Sequence, residues 1–271
     1  MCVPGCREAV HRAMSRRGFF GGGAAATASF VTMAATPAQA QRSFSRVIDL
    51  THTLSPEFPT FFGVPGISIE RRYTLKKDGA NVNWWHIGEH AGTHIDAPFH
   101  YSDAGATVEK LPAEQLVVPL AIVDVSAKAA RNADYAMTRQ DLADWEVKNG
   151  RLTDDCCVAM HSGWARHVAN VTKFVGKDAA GTMHFPGVHS DAAYWLLKER
   201  RVAGLAVDTL SLDPGNSTTF KTHALWLPAG RWGIENMANL DKVPATGATL
   251  VVGVPKVSGA TGGPARIFAL V

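Results

Sequence analysis

The chain has 271 residues, of which 46% are hydrophobic and 19% charged, and a formal net charge of +3. Residues 1–40 carry four of the 27 Lys and Arg (Arg7, Arg12, Arg16, Arg17) and one of the 24 acidic residues (Glu8), leaving 23 of each sign in the remainder. A neutral body of about 230 residues is large enough for one domain with a substantial core and offers no basic surface for nucleic acid or an anionic membrane.

At the N-terminus, Ser15-Arg16-Arg17-Gly18-Phe19-Phe20 forms a twin-arginine pattern, followed by a weakly apolar Gly and Ala run to about Met33 and by Ala38-Gln39-Ala40. This arrangement predicts an export signal over residues 1–40, removed before Gln41, and with it a periplasmic or secreted protein. Met14 offers a second initiator close to the arginine pair. Three consecutive glycines at 21 to 23 argue against an amphipathic first helix, and the run is too short and Gly-rich to remain in a membrane as a permanent span.

Aromatic residues gather next at Phe58, Phe61, Phe62, Trp84 and Trp85, with Trp226 and Trp232 far downstream near His223. As a wall they suit a flat or aromatic small molecule; as core they need no ligand. The most informative stretch follows: His90-Ala91-Gly92-Thr93-His94-Ile95-Asp96-Ala97-Pro98-Phe99-His100. Of the 11 histidines, His86, His90, His94 and His100 fall within this stretch and the four residues before it. Imidazole nitrogens and a carboxylate suit Zn²⁺ or Mn²⁺, and three protein ligands leave a coordination position for water or substrate. Such an ion lowers the pKa of bound water from about 15.7 to about 7, so hydroxide becomes available at neutral pH.

The spacing of His90 and His94 also fits one face of a helix, as in the zinc protease pattern His-Glu-x-x-His, but Ala91 stands where that pattern has its glutamate. Gly92, the β-branched Thr93 and Ile95, and Pro98 all weaken a helix. An extended segment fits better: His94 and Asp96 alternate onto one side, and Gly92 lets the chain bend to bring in His90. His100, just past the proline, is placed for proton transfer beside the ion. His86 has no partner at ligand spacing and is read as structural or pocket-lining.

Short apolar runs at Leu116 to Val125, Cys156 to Met160, Val202 to Val207 and Thr249 to Val254 predict strands, most of them buried on both faces. Helices are predicted from Thr138 to Lys148, capped by Thr138 ahead of Asp141, and from Ser190 to Arg201, capped by Ser190. Cys156 and Cys157 are adjacent, which disfavours a bridge, and are read as small core residues. The segments Asp213-Pro214-Gly215 and Ser258 to Pro264 are read as turns; the latter lacks the lysine of a phosphate loop.

From about Val47 to its end the chain resembles the cyclase-like metal-dependent hydrolases, a family that includes bacterial kynurenine formamidases and isatin hydrolases. The family pattern His-x-Gly-Thr-His-x-Asp-x-Pro-x-His is met at every fixed position from His90 to His100. Ser162-Gly163-Trp164, the block from Gly204 to Asp213, His223, Gly233-Ile234-Glu235-Asn236, Asn239-Leu240 and Pro244 follow in family order.

The resemblance implies an α/β chain folded as a single swivelling β/β/α (cyclase-like) domain over residues 41–271, with a barrel-like mixed sheet flanked by helices. It implies that His90, His94 and Asp96 bind a first Zn²⁺ or Mn²⁺, that Asp96, His223 and Glu235 bind a second where two ions are held, and that His100 is the catalytic acid/base. Phe61 stands where a tryptophan substrate contact is usual, which leaves the substrate open. The implied reaction is hydrolysis of an amide C–N bond, N-formyl or cyclic, by metal-bound hydroxide. Ring opening of a lactone or imide, and a periplasmic metal- or ligand-binding protein without catalysis, are the alternatives. The implied partners are a small-molecule substrate and further copies of the chain in a homodimer or larger oligomer.

Overall fold

The computed structural model describes residues 44–271, so the twin-arginine segment lies outside the described residues. Thirteen strands follow in chain order: β1 (Val47–Asp49), β2 (Ile67–Tyr73), β3 (Val82–Ile87), β4 (His94–Asp96), β5 (Val117–Asp124), β6 (Ala136–Met137), β7 (Cys156–His161), β8 (Gly187–Val188), β9 (Val202–Val207), β10 (Trp232–Glu235), β11 (Ala248–Gly253), β12 (Gly262–Pro264) and β13 (Arg266–Leu270). Nine of them form one mixed sheet in the order β1-β13-β11-β5-β7-β9-β10-β4-β12. Its centre, β5 to β10, is parallel, and both flanks are antiparallel. The helices that matter for the site are α1 (Arg139–Asn149), α2 (Ser190–Glu199) and α3 (Lys221–Trp226).

The continuous apolar runs are explained by two cores, one on each face of the sheet. Along β5, Leu120 and Ile122 enter one core while Ala121 and Val123 enter the other; along β7, Cys157 and Ala159 alternate in the same way with Cys156, Val158 and Met160. A strand's side chains alternate between faces, so burial on both sides removes any polar alternation. The second core is covered by α1 and α2, through Leu142, Trp145, Trp195 and Leu196. The first gathers Ile48 from β1, Ile95 from β4 and Ile267 from β13, so strands from both ends of the sheet close over it and the sheet curls into a half-barrel. The chain is thus the α/β domain with a barrel-like mixed sheet that the sequence implies. Cys156 and Cys157 are free and buried, and burial pushes the Cys156 thiol up to about 12, which makes both small core residues rather than thiolate ligands.

Four expectations need correction. Helix α2 is capped by His189, whose Nδ1 accepts the Asp191 N–H at 3.1 Å, because the extended chain leaving β8 ends there and Ser190 is already helical. The Gly-rich segment before Pro264 is not only a turn: Gly262–Pro264 is the edge strand β12, paired with β4. Trp84 and Trp85 lie away from the metal motif on the solvent-exposed β2–β3 hairpin, with His86 beside Glu70. Trp226 and Trp232 are fully buried, the Trp226 indole N–H donating to the Trp232 carbonyl at 2.8 Å, so they fill core instead of walling a pocket. Among the described residues no helix is long and apolar enough to cross a membrane.

The predicted cap of α1 is present in full. Thr138 Oγ1 accepts the Asp141 N–H, and Asp141 accepts the Thr138 N–H at 2.7 Å, the Tyr135 hydroxyl at 2.7 Å and the Lys128 ammonium. Burial alone would raise the Asp141 pKa, but these donors, Lys128 foremost, hold it below the usual carboxylate value. Its stabilising effect is therefore present above the unfolded-state pKa and fades as the pH falls through the lower folded value. Asp141→Ala should destabilise the protein at neutral pH by about 1–2 kcal/mol in urea unfolding. That deficit should shrink in strongly acidic buffer, and a deficit that persists there would show that the charge is not its source.

Candidate metal centre

Strand β4 places the centre of the motif. His94 and Asp96 alternate onto the same side, and the register of β4 against β10 sets Glu235 directly opposite His94, with His94 Nε2 3.4 Å from Glu235 Oε2. His94 Nε2 is also 3.3 Å from Asp96 Oδ1. Gly92, at φ +65°, turns the chain just before the strand and carries His90 inward until its Nδ1 lies 2.7 Å from Asp96 Oδ1. From α3, His223 points Nε2 to within 3.0 Å of Glu235 Oε1 and 3.6 Å of Asp96 Oδ2. The three imidazoles therefore meet Asp96, and Glu235, distant from the motif in sequence, joins the cluster through His94 and His223; His94 and Asp96 are each 1% exposed.

The electrostatics suit a cation. Burial by itself would lower the His94 pKa, yet the charge of Asp96 and Glu235 overrides it and raises the value to about 9. His223 is likewise held high against burial by Asp213, Asp96 and Glu235, and Asp96 is held well below its ordinary range by the three imidazoles. Two buried carboxylates thus draw positive charge into a space ringed by nitrogen lone pairs. His94 Nε2 and Asp96 Oδ2 are buried without a hydrogen-bond partner. One nitrogen or oxygen each from His94, Asp96 and Glu235 lie within 4.8 Å of one another, as do those of His90, Asp96 and His100. Orphaned donor atoms of this kind, all nitrogen and oxygen, fit Zn²⁺ or Mn²⁺.

The rings of His94 and His223 are held from behind. His94 Nδ1 donates to the Gly92 carbonyl at 2.9 Å, and His223 Nδ1 lies 2.6 Å from Asp213 Oδ2. Asp213 also accepts the Thr222 and His223 N–H groups at 2.8 and 3.1 Å, so one carboxylate both starts α3 and orients its histidine. Sequence reading gave this residue no role because Asp213-Pro214-Gly215 has the composition of an ordinary turn.

His100 follows β4 in a short 3₁₀ turn, Pro98–Tyr101, and stacks on His90 with ring centroids 3.9 Å apart. Burial, reinforced by His90 and His223 and only partly relieved by Asp96, pushes its pKa down to about 4. Above the cluster lies a cavity of about 320 Å³. Phe61 lines it, edge-on to Phe62 and Phe220, with Tyr101 and Leu210 completing the apolar wall and His90, His100, His223 and Glu235 at its base. Phe220, Tyr101 and Leu210 carried no signal in the sequence, because only the return of α3 brings Phe220 opposite Phe61.

A curled mixed sheet with helices on one face, and a cluster of three histidines and two carboxylates under an aromatic cavity, define an α/β domain built around a largely buried polar cluster fit to hold a cation. The model of a family described as putative cyclase matches residues 48–214, and the chain belongs to that family. The isatin hydrolase of Roseibium aggregatum is 31% identical over 244 residues, covering 83% of this chain and 91% of its own. A kynurenine formamidase of Bacillus cereus is 28% identical, covering 82% and 96%. The solved structure of isatin hydrolase A from Ralstonia solanacearum superposes with a TM-score of 0.78 at 35% identity, covering 83% and 92%.

Asp96 is the carboxylate that the imidazoles of His90, His94 and His223 all meet. Asp96→Asn should therefore weaken Zn²⁺ and Mn²⁺ binding by more than the roughly 10–100-fold typical of residues that only support a ligand. Metal analysis of desalted protein checks this, and wild-type metal content in the variant would remove the cluster as the binding site.

Proposed function

We propose that the protein is a metal-dependent hydrolase that cleaves the amide C–N bond of a small, flat, uncharged molecule, a cyclic amide of the isatin type in preference to an amino-acid formamide. The observation that carries this reading is the cavity. Its wall is phenyl rings, Tyr101 and Leu210, and none of its lining residues is Lys or Arg. An amino-acid substrate brings a carboxylate, which proteins bind through charge-assisted donors; the lining offers no Lys or Arg for it, and the His223 imidazole, whose pKa is raised, already faces the carboxylates of Asp96, Asp213 and Glu235. A planar neutral ring needs only the aromatic faces and a carbonyl directed at the cluster.

A divalent ion held by His90, His94 and Asp96, with Asp96, His223 and Glu235 available for a second, supplies Lewis acidity toward the carbonyl and acidifies water. The protein's own part in the chemistry falls to His100. It is neutral at physiological pH, lines the cavity, and is positioned by its stack on His90 to take a proton from the attacking water on a ring nitrogen and return it to the departing amide nitrogen. The apolar wall limits competing water around that transfer. We further propose export by the twin-arginine route, a reading that rests on Arg16, Arg17 and the residues around them.

Purified protein, with metal content measured alongside, should hydrolyse isatin and related cyclic amides faster than N-formylkynurenine, and chelation followed by Mn²⁺ or Zn²⁺ should remove and restore the activity. Preference for N-formylkynurenine would overturn the neutral-substrate reading; metal-loaded protein without turnover on cyclic amides, formamides, imides or lactones would favour a binding protein. His100→Ala should keep its metal and lose about 10²–10⁴ in kcat, whereas loss of metal would make His100 a ligand.

A further inference from the structure

His90, which is half-buried, differs from the buried imidazoles of His94 and His223 in which nitrogen it turns toward Asp96. His94 and His223 each have Nδ1 tied to an oxygen behind them, the Gly92 carbonyl and the Asp213 carboxylate, and so present Nε2. His90 has Nδ1 facing Asp96 Oδ1 at 2.7 Å, while Nε2 lies 2.9 Å from Thr261 Oγ1. Thr261 belongs to the segment leading into the edge strand β12, 171 residues away in sequence.

The proton on His90 can be assigned by following the chain of oxygens outward. Thr261 Oγ1 is hydrogen-bonded to Glu89 Oε2, which also accepts the Thr261 N–H at 3.0 Å. A carboxylate oxygen only accepts, so the single hydroxyl hydrogen of Thr261 points to Glu89. Toward His90 that hydroxyl then has only a lone pair, and Nε2 must be the donor. The Nδ1 lone pair and Asp96 Oδ1 consequently face the same point, an arrangement that calls for positive charge between them. The edge strand reaches this position because residue 262 is glycine: a Cβ there would lie 2.7 Å from His90 Cε1 and 2.6 Å from the Ile95 carbonyl oxygen.

We infer that Glu89, acting through Thr261, is a positioning residue that fixes His90 as the Nε2–H tautomer, so that this histidine offers Nδ1 to the metal while His94 and His223 offer Nε2. The inference rests on the metal-centre reading for its consequence, but the tautomer itself is independent of it. A carboxylate behind the hydroxyl makes Thr261 a better acceptor and Nδ1 a stronger ligand, the same logic that Asp213 applies directly to His223. Reversing the Glu89 end would reverse the chain: a glutamine amide can donate to Thr261, leaving the hydroxyl free to donate to Nε2 and forcing the proton onto Nδ1.

The test uses the full chain and two readouts. Competition with a chromophoric chelator measures Zn²⁺ affinity, and long-range ¹H–¹⁵N spectra of the zinc-loaded and metal-free protein report which nitrogen of His90 is protonated. Thr261→Val, which keeps the shape and deletes the hydroxyl, and Glu89→Gln should each lose about 10–100-fold in affinity, while Thr261→Ser should restore wild-type binding. Wild-type spectra should show Nε2–H on His90. Unchanged affinity in Thr261→Val and Glu89→Gln, or a wild-type His90 protonated on Nδ1 with Nε2 bare, would overturn the inference. A wild-type protein that binds no zinc would fail the metal reading instead, and the His90 spectrum would still decide the tautomer.

Discussion

The buried charge of Asp96 is the constraint around which the rest of the site is arranged. An isolated carboxylate in a protein interior costs several kcal/mol unless it is paired and hydrogen-bonded, and Asp96 is almost wholly withdrawn from water. The fold answers with three imidazoles from three parts of the chain: His90 from the turn before β4, His94 from β4 itself and His223 from α3. Glu235, opposite His94, doubles the negative charge instead of relieving it. A cluster intended only for stability would not place a second carboxylate there. Two buried anions flanking the same two imidazoles hold positive charge in the cluster, carried by the protonated rings or by a divalent ion that takes their place.

That arrangement depends on how β4 enters the sheet. Most of the sheet is continuous and apolar, but β4 is a three-residue insertion paired antiparallel to β10 on one side and β12 on the other. Each neighbour presents a glycine opposite Asp96, Gly233 on β10 and Gly262 on β12. The ring of His90 occupies space that a larger residue at 262 would take. The terminal strands thus serve the site as well as the core: β12, near the end of the chain, sets how close His90 can come to the cluster.

What could be read from the sequence follows from range. The His90 to His100 stretch was legible because ligand spacing within an extended segment is a local property, and so were the α1 cap and the buried strands. His223 and Glu235 could be named only through resemblance, since their approach to Asp96 is created by the return of α3 and the pairing of β10 with β4. Asp213 was named only as the end of a family block, without a role, and Thr261 only within a turn, because an aspartate before Pro-Gly and a threonine before Gly-Gly look like turn formers. Trp84 and Trp85 show the opposite error. Closeness in sequence to the motif suggested closeness in space, but an antiparallel hairpin leads them away from it into solvent.

The cavity wall and the histidine–carboxylate cluster are mechanically joined in α3. This helix has only six residues, too few to hold itself together by helix propensity. Its start is secured by Asp213, which accepts two of its N–H groups and the His223 ring, so its rotation and the orientation of His223 are set together. The residue just before it, Phe220, sits at φ +46°, a conformation that costs a bulky side chain on the order of 1–3 kcal/mol and persists only where its surroundings enforce it. That conformation brings the Phe220 ring against Phe61 in the cavity wall while His223, three residues on, reaches Glu235. Any molecule that pressed on the aromatic wall would therefore press on the segment that carries one of the buried imidazoles. The shape of the cavity wall and the geometry of the cluster beneath it depend on the same anchoring carboxylate.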